Sequence, residues 1–427
     1  MNKIDRTHAP KVSQLALPKI EYFETEQLTS GATLHLMRGG SQPITQIIFN
    51  YNAGRYYQGG AKTLASNTIN MLFEGTTSRT TQQISSEVEY YGADLSSDTN
   101  MEFARISLSA PTKFISNALD VVSDCLLHPT FPQKELTRYK LQRCEQLKYN
   151  LLRSEYVVGD VMRKIFYPAD SVFYDELKLK DIRAIKREQL IDFHQQYFSP
   201  KGLHIFVSGQ PDDEVLAKLR NIYSVPFGSV ASLNIDLPVM TPDGKVHKKR
   251  LPQSTQTTVM MSARAIKSDH PDFIDLQMLV SLFGGYFGSR LMKNIREDKG
   301  LTYGIQAFMR YDSVLSSIVV QSSVDSQRYQ LVIDEIHKEM QRLIDEPVGE
   351  AEMEQLKAYC RGSILSIYSD IFNAARNLSG FVLEGATEDL PREQWKHVDD
   401  ITPERLQQLA AQFLRPELFH IAVAGNV

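Results

Sequence analysis

Residues 200–209 read PKGLHIFVSG, and residues 416–425 read PELFHIAVAG. The segments stand 216 positions apart, and at that offset the match runs backwards without a gap. Ile185 falls on Ile401, Glu188 on Glu404, Leu190 on Leu406, Gln196 on Gln412 and Tyr197 on Phe413. Inside the segments Pro200 and Pro416, His204 and His420, Val207 and Val423, and Gly209 and Gly425 coincide. Each copy has the spacing of a short amphipathic helix, then a proline-marked turn, then a strand with alternating apolar residues. The repeated unit is therefore supersecondary. One repeat across half the chain means two homologous halves, whereas a solenoid needs several short periods.

Working outward, the first half predicts strands at 33–37 and 45–51, helices near 60–73 and 80–91, and strands at 94–98 and 103–109. A long helical tract follows over 112–155, broken at Pro129 and Pro132. The second half repeats the plan: a strand at 257–262, helices at 271–283 and 288–299, a hairpin over 301–310 and 314–323, and helices at 326–344 and 350–380. Between 225 and 248 proline and glycine punctuate a stretch without helical periodicity, which reads as a linker. The expected fold is α+β, with domains at 1–224 and 249–427, each an antiparallel-rich sheet with helices packed on one face.

Bulk properties narrow the function. A chain of 427 residues suits two domains, and 42% hydrophobic with 23% charged residues fits a globular protein. A net charge of −4 with dispersed Lys and Arg gives no footprint for nucleic acid. The one basic run, Lys248 to Arg250, reads as a solvated linker end. Cys125, Cys144 and Cys360 form no Cys-x-x-Cys pair and read as free thiols. The first residues lack an apolar run, and no stretch has the length of a membrane span, so a cytoplasmic protein is expected, or a periplasmic one if a signal peptide was removed.

No two of the ten histidines stand four apart, so no helix offers the pair that grips zinc from one face. Nucleophile elbow, phosphate loop and dinucleotide fingerprint are missing too. His204 and His420 read as strand histidines kept from the duplication.

Residues 59–76, GGAKTLASNTINMLFEGT, carry more. They resemble the signature helix of the insulinase- or pitrilysin-like zinc metallopeptidases, in which His-x-x-Glu-His runs into Met-Leu-Phe-x-Gly-Thr. Met71 to Thr76 keep the second part; the histidine positions hold Ser66 and Asn70, and the glutamate position holds Ile69. For the family's third ligand, a later glutamate, this sequence offers Glu145 or Gln146. Serine, asparagine and isoleucine cannot hold zinc or accept a proton from a metal-bound water. The chain is thus expected to bind no metal.

A second motif supports the resemblance. Residues 289–303, SRLMKNIREDKGLTY, look like the family's segment in which an arginine and a tyrosine face the zinc across a closed chamber; the matching residues are Arg296 and Tyr303. Gly300 can end the helix in a left-handed cap and let the two side chains converge. Arginine stays cationic and tyrosine donates through its hydroxyl, so both suit a developing oxyanion. The glycine-rich turn at Gly284 and Gly285, with Phe308 and Arg310, is a candidate lining of that chamber, although close packing explains the glycines equally well. The resemblance spans the chain and implies the zinc-free partner of a two-subunit enzyme of the mitochondrial-processing-peptidase type. A homologous His-x-x-Glu-His subunit would supply Zn, and an unfolded peptide would be the substrate. The alternative is a non-catalytic scaffold or peptide-binding relative.

Overall fold

The computed structural model describes residues 15–174, 176–225, 237–385 and 389–427. In the first half the elements are β1 (Glu24–Gln27), β2 (Thr33–Arg38), β3 (Ile44–Tyr51), α1 (Leu64–Met71), α2 (Thr81–Tyr90), β4 (Asp94–Thr99) and β5 (Ala104–Pro111). They continue with α3 (Thr112–Leu127), α4 (Gln133–Asn150), α5 (Ser154–Phe166), α6 (Leu179–Ala184), α7 (Arg187–Tyr197), β6 (His204–Gly209) and α8 (Asp213–Ile222). The second half holds β7 (Val246–Arg250), β8 (Gln256–Arg264), α9 (Phe273–Val280), β9 (Thr302–Tyr311) and β10 (Ser316–Asp325). It ends with α10 (Tyr329–Asp345), α11 (Glu350–Tyr368), α12 (Ile371–Leu383), α13 (Leu390–Asp400), α14 (Pro403–Phe413) and β11 (His420–Gly425).

The repeat becomes two copies of one sheet. The first runs β1-β2-β6-β3-β5-β4 and the second β7-β11-β8-β10-β9, so from β2 and β7 onward the orders correspond strand for strand. Each sheet has one parallel pairing, β2 with β6 and β7 with β11, because β6 and β11 return only after a long helical crossover. The hairpins β4–β5 and β9–β10 are antiparallel. This is the expected α+β architecture of two homologous domains.

The repeated glycines have a steric cause. Gly209 sits at φ +101°, and a Cβ there would lie 2.2 Å from the Ile44 carbonyl oxygen. Gly425 sits at φ +153°, with its Cβ position 2.3 Å from Thr257 Oγ1. Side chains fit neither backbone nor space at these strand ends.

Each half buries one sheet face under its own helices. Ile47, Phe49, Ile106, Leu108 and Ile205 pack with Ile69 of α1, Leu119 of α3 and Leu190 of α7. Val259, Met261, Ile318, Val320 and Ile421 pack with Leu279 of α9, Ile333 of α10 and Leu409 of α14. The opposite faces are joined crosswise. Helix α5, from the first half, lays Val158, Met162 and Phe166 on Ala422 and Ala424 of the second sheet. Helix α12, from the second half, packs Ala374, Ala375 and Leu378 with Met37, Ile48 and Phe206 of the first. The two helices are equivalents in the repeat, so each half lends a helix to the other.

Several expectations need correction. The helical reading ran through 150–155 and again through 350–380, but the chain breaks between α4 and α5 and between α11 and α12. Neither break contains proline or glycine; each turns where the next helix must leave for the other sheet. Segment 246–250, partly read as linker with a solvated basic end, is the edge strand β7, held by parallel pairing with β11. The 288–299 helix is present but is wound less tightly than an α-helix, with π-type hydrogen bonding over Met292–Asp298. Residues 226–236 of the linker reading, and the N-terminal residues behind the localisation reading, lie outside the described residues. The three cysteines are free, two of them buried. Among the described residues no helix is long and apolar enough to cross a membrane.

Candidate functional site

The signature-like helix is α1, and its two surfaces have different fates. Ile69 is fully buried in the first-half core, in line with the apolar residues that pack α1 on the sheet. Ser66 and Asn70 face a cleft of about 470 Å³ between α1, the end of β4, α4 and α5. Ser66 Oγ donates to the Thr63 carbonyl at 3.0 Å, and Asn70 Nδ2 donates to the Tyr139 hydroxyl at 2.8 Å. Of the two candidates on α4, Gln146 lines the cleft, with its Nε2 donating to Asn150 Oδ1 at 2.9 Å. Glu145 is exposed and paired with Lys148 at 2.6 Å.

The cleft is cationic. Arg55, Lys62, Arg143 and Arg163 line it against a single lining carboxylate, Asp98. Arg55 is exposed at the cleft mouth; partial desolvation by the cleft wall, then repulsion from Arg163, Arg310 and Arg143, lower its guanidinium from its ordinary range. Sequence reasoning missed this group, because its members are scattered from residue 55 to 310 and no local pattern marks them.

Arg296 and Tyr303 lie at the other end of β9. Gly300, at φ +57°, caps the π-type turn, its N–H donating to the Arg296 carbonyl at 3.2 Å, while Leu301 N–H donates to the Ile295 carbonyl at 2.9 Å. The turn is bound to α10: Asn294 Nδ2 donates to Glu339 Oε1 at 2.6 Å, and Lys299 pairs with the buried Glu335. The Arg296 guanidinium carbon sits 4.3 Å from the ring centre of Phe287 and 5.8 Å from that of Tyr303. Tyr303 is 92% exposed, so its hydroxyl projects from the edge strand of the second sheet.

The remaining candidates separate. Gly284 is buried, and a Cβ there would meet Ala307 of β9 at 2.7 Å, so it is a packing glycine rather than a lining one. Gly285 is exposed, Phe308 half-buried and Arg310 exposed. Arg310 lies near Arg55 at the cleft end of β9, seven residues and roughly 23 Å along the strand from Tyr303. Within one chain the cleft and the Arg296–Tyr303 pair are thus separate.

Residues 64–170 match the family described as insulinase (peptidase family M16), and residues 184–360 match the peptidase M16 inactive domain. The chain belongs to the insulinase family, peptidase family M16. It is 22% identical over 361 residues to an uncharacterized zinc protease, YmxG, of Bacillus subtilis, covering 84% of this chain and 87% of that protein. It is 21% identical to the mitochondrial-processing peptidase subunit beta of Dictyostelium discoideum, over 81% of this chain and 76% of that one. A non-peptidase homolog of Helicobacter pylori is 24% identical over 69% of this chain and 68% of its own length. The crystal structure of a peptidase M16 inactive domain from Pseudomonas fluorescens superposes with a TM-score of 0.87 at 20% identity, covering 95% of this chain and 98% of that one.

The zinc of such peptidases does not fit this M16 chain. Ser66 and Asn70, which stand at the motif's two histidine positions, are neutral groups engaged in hydrogen bonds; of the two candidates for the third ligand Gln146 is neutral and Glu145 is exposed and paired with Lys148, and the base position is an apolar core residue. Three guanidinium groups around the same cleft oppose a dication further. Among the described residues, no cluster of three or more His, Cys, Asp or Glu could hold a metal ion.

Proposed function

We propose that this M16 chain is the zinc-free partner subunit of a heterodimeric metalloendopeptidase, bringing Arg296 and Tyr303 to a metal held by a His-x-x-Glu-His subunit. The carrying observation is the preserved pair: a guanidinium stacked against a tyrosine whose hydroxyl is free to meet a second body. The subunit name of the mitochondrial-processing peptidase relative is in keeping with a shared enzyme. On a peptide bound between the subunits, Arg296 polarises the scissile carbonyl, and the Tyr303 hydroxyl donates to the oxygen as it becomes an oxyanion. A donor so placed contributes about 10²–10³ in rate. Metal and general base belong to the partner.

The test is reconstitution with a homologous subunit that carries the zinc motif. The mixture is expected to cleave unfolded peptides faster than either chain alone. Arg296→Ala and Tyr303→Phe are each expected to lower kcat by roughly tenfold or more, with the complex intact by size-exclusion chromatography. If the mixture works no faster than the zinc subunit alone, the reading is wrong. The second reading, a non-catalytic scaffold or peptide-binding protein, then stands; the non-peptidase relative favours it.

A further inference from the structure

The basic run Lys248 to Arg250 serves neither the cleft at α1 nor the Arg296–Tyr303 pair. Its three residues are the exposed part of β7, the outer strand of the second sheet. The two homologous sheets differ at this edge. In the first, β2 is covered by β1, an antiparallel strand of sequence Glu-Thr-Glu-Gln whose Glu26 pairs with Arg220 at 2.8 Å. In the second, β7 stands in the place of β2, and among the described residues it pairs with β11 alone.

The outer side of β7 offers main-chain groups and charge together. Leu251 N–H donates to the Gly425 carbonyl at 2.6 Å, and strand alternation then turns the N–H and C=O groups of Lys248 and Arg250 away from β11. Each acidic neighbour is matched by another cation: Asp243 by His247 at 3.0 Å and Lys245 at 3.9 Å, Glu176 by Lys164 at 2.8 Å, and Asp160 by Arg163. Lys248, Lys249 and Arg250 have no ion pair among the described residues. Lys248 donates to the neutral Tyr329 hydroxyl at 2.8 Å, and Lys249 stands near Glu176 without pairing. Beside the strand a groove of about 360 Å³ runs between β7 and α5, with Val157, Val161, Ile165 and Leu251 as its apolar lining.

We propose that the outer edge of β7 docks an acidic, extended segment of a partner protein, which adds to the second sheet as a strand where β1 stands in the first. Main-chain pairing holds the segment, alternate side chains enter the groove, and its carboxylates meet the three cations. Charge selects this occupant over the others. A second copy would set β7 against β7, and like charges across a strand pair are destabilising. Residues 1–14 hold Lys3, Arg6 and Lys11 against Asp5, and residues 226–236 hold Asp236 as their one charge, so neither supplies an acidic strand. β7 lies at the opposite edge of the sheet from β9, so Arg296 and Tyr303 take no part, and this inference stands or falls apart from the partner-subunit reading.

The experiment is fluorescence anisotropy on the full chain, with no second protein present, at low ionic strength. The probe is a labelled peptide of alternating glutamate and valine; its counterpart carries glutamine for glutamate, and a single-stranded RNA oligonucleotide serves as competitor. The glutamate peptide is expected to bind, to weaken as salt is added, and to exceed the glutamine peptide by roughly tenfold or more. Lys249→Gln combined with Arg250→Gln should lower its affinity about tenfold, while Lys113→Gln on α3 leaves it unchanged. Lys248→Pro and Lys248→Gln remove the same charge, but only proline also removes an outward N–H, so the proline variant should bind at least about fivefold more weakly. Thermal melts check that each variant keeps its fold. Peptide binding should also slow hydrogen exchange at the Lys248 and Arg250 amides, a readout that needs no variant. No binding of the glutamate peptide, or equal binding of both peptides, overturns the docking edge and leaves the lysines as guards against self-association. Binding without slowed exchange at those two amides overturns the added strand. RNA that displaces the peptide at matching affinity overturns the assignment to a protein partner.

Discussion

Gly209 and Gly425 show how much one position can fix. Both end equivalent strands in left-handed backbone, and in both the missing side chain is replaced by a neighbouring strand's atoms at 2.2 and 2.3 Å. Gly209→Ala must therefore shift β3 at Ile44, and Gly425→Ala must shift β8 at Thr257. Each substitution is expected to destabilise the protein by about 3 kcal/mol, read as a lowered urea midpoint. Gly300→Ala shares the positive φ but meets no atom within 4 Å, so its effect should stay near 1 kcal/mol, the backbone strain alone. At this scale the sequence already separates signal from background: the paired glycines are visible as a repeat. Arg296 and Tyr303 are visible because seven positions and one glycine separate them, a distance that local geometry can bridge. Arg55 and Arg143 are invisible for the opposite reason, and Arg310 was read only as a chamber residue, since only long-range folding makes the three neighbours.

Among the elements, the turn carrying Arg296 depends most on charge. Burial tends to raise the Glu335 carboxyl, but hydrogen bonds from Lys299, Lys338 and Asn294 outweigh it and bring the pKa from 4.5 to about 2. The carboxylate is thus held more firmly in the folded state, and its stabilisation is complete above pH 4.5 and lost as pH falls towards 2. Glu335→Gln should cost about 2 kcal/mol at neutral pH. The gap between wild type and variant in urea denaturation should narrow across that acid window; a gap independent of pH would remove Glu335 from the account. Strand and helix existence was readable here from alternation and helical period, and Pro129 and Pro132 marked the gap between α3 and α4. The break before α5 was not readable, since residues 151–153 carry no helix breaker; before α12 the only local mark is Asp370, whose carboxylate caps the new helix by accepting from the Asn373 N–H at 2.9 Å.

For the molecule as a whole, the exchange of α5 and α12 decides how the halves relate. Without α12, the first sheet exposes Met37, Ile48 and Phe206; without α5, the second exposes Ala422 and Ala424. Each large buried side chain is worth about 2 kcal/mol, so neither half keeps its own stability when cut from the other. Segments 1–224 and 249–427 expressed separately are expected to lack a cooperative melt, and co-expression should restore it. Two independent melts from the separate halves would refute that dependence. The amino-acid sequence by itself determined the duplication, the α+β class, the residues at the zinc-motif positions and the closeness of Arg296 to Tyr303. All of these depend on residue identity and on neighbours within a few turns of chain. Only the tertiary structure decided which helix covers which sheet and where the cations of the cleft gather, because both follow from contacts between residues more than a hundred positions apart, whose order along the chain carries no trace of their meeting.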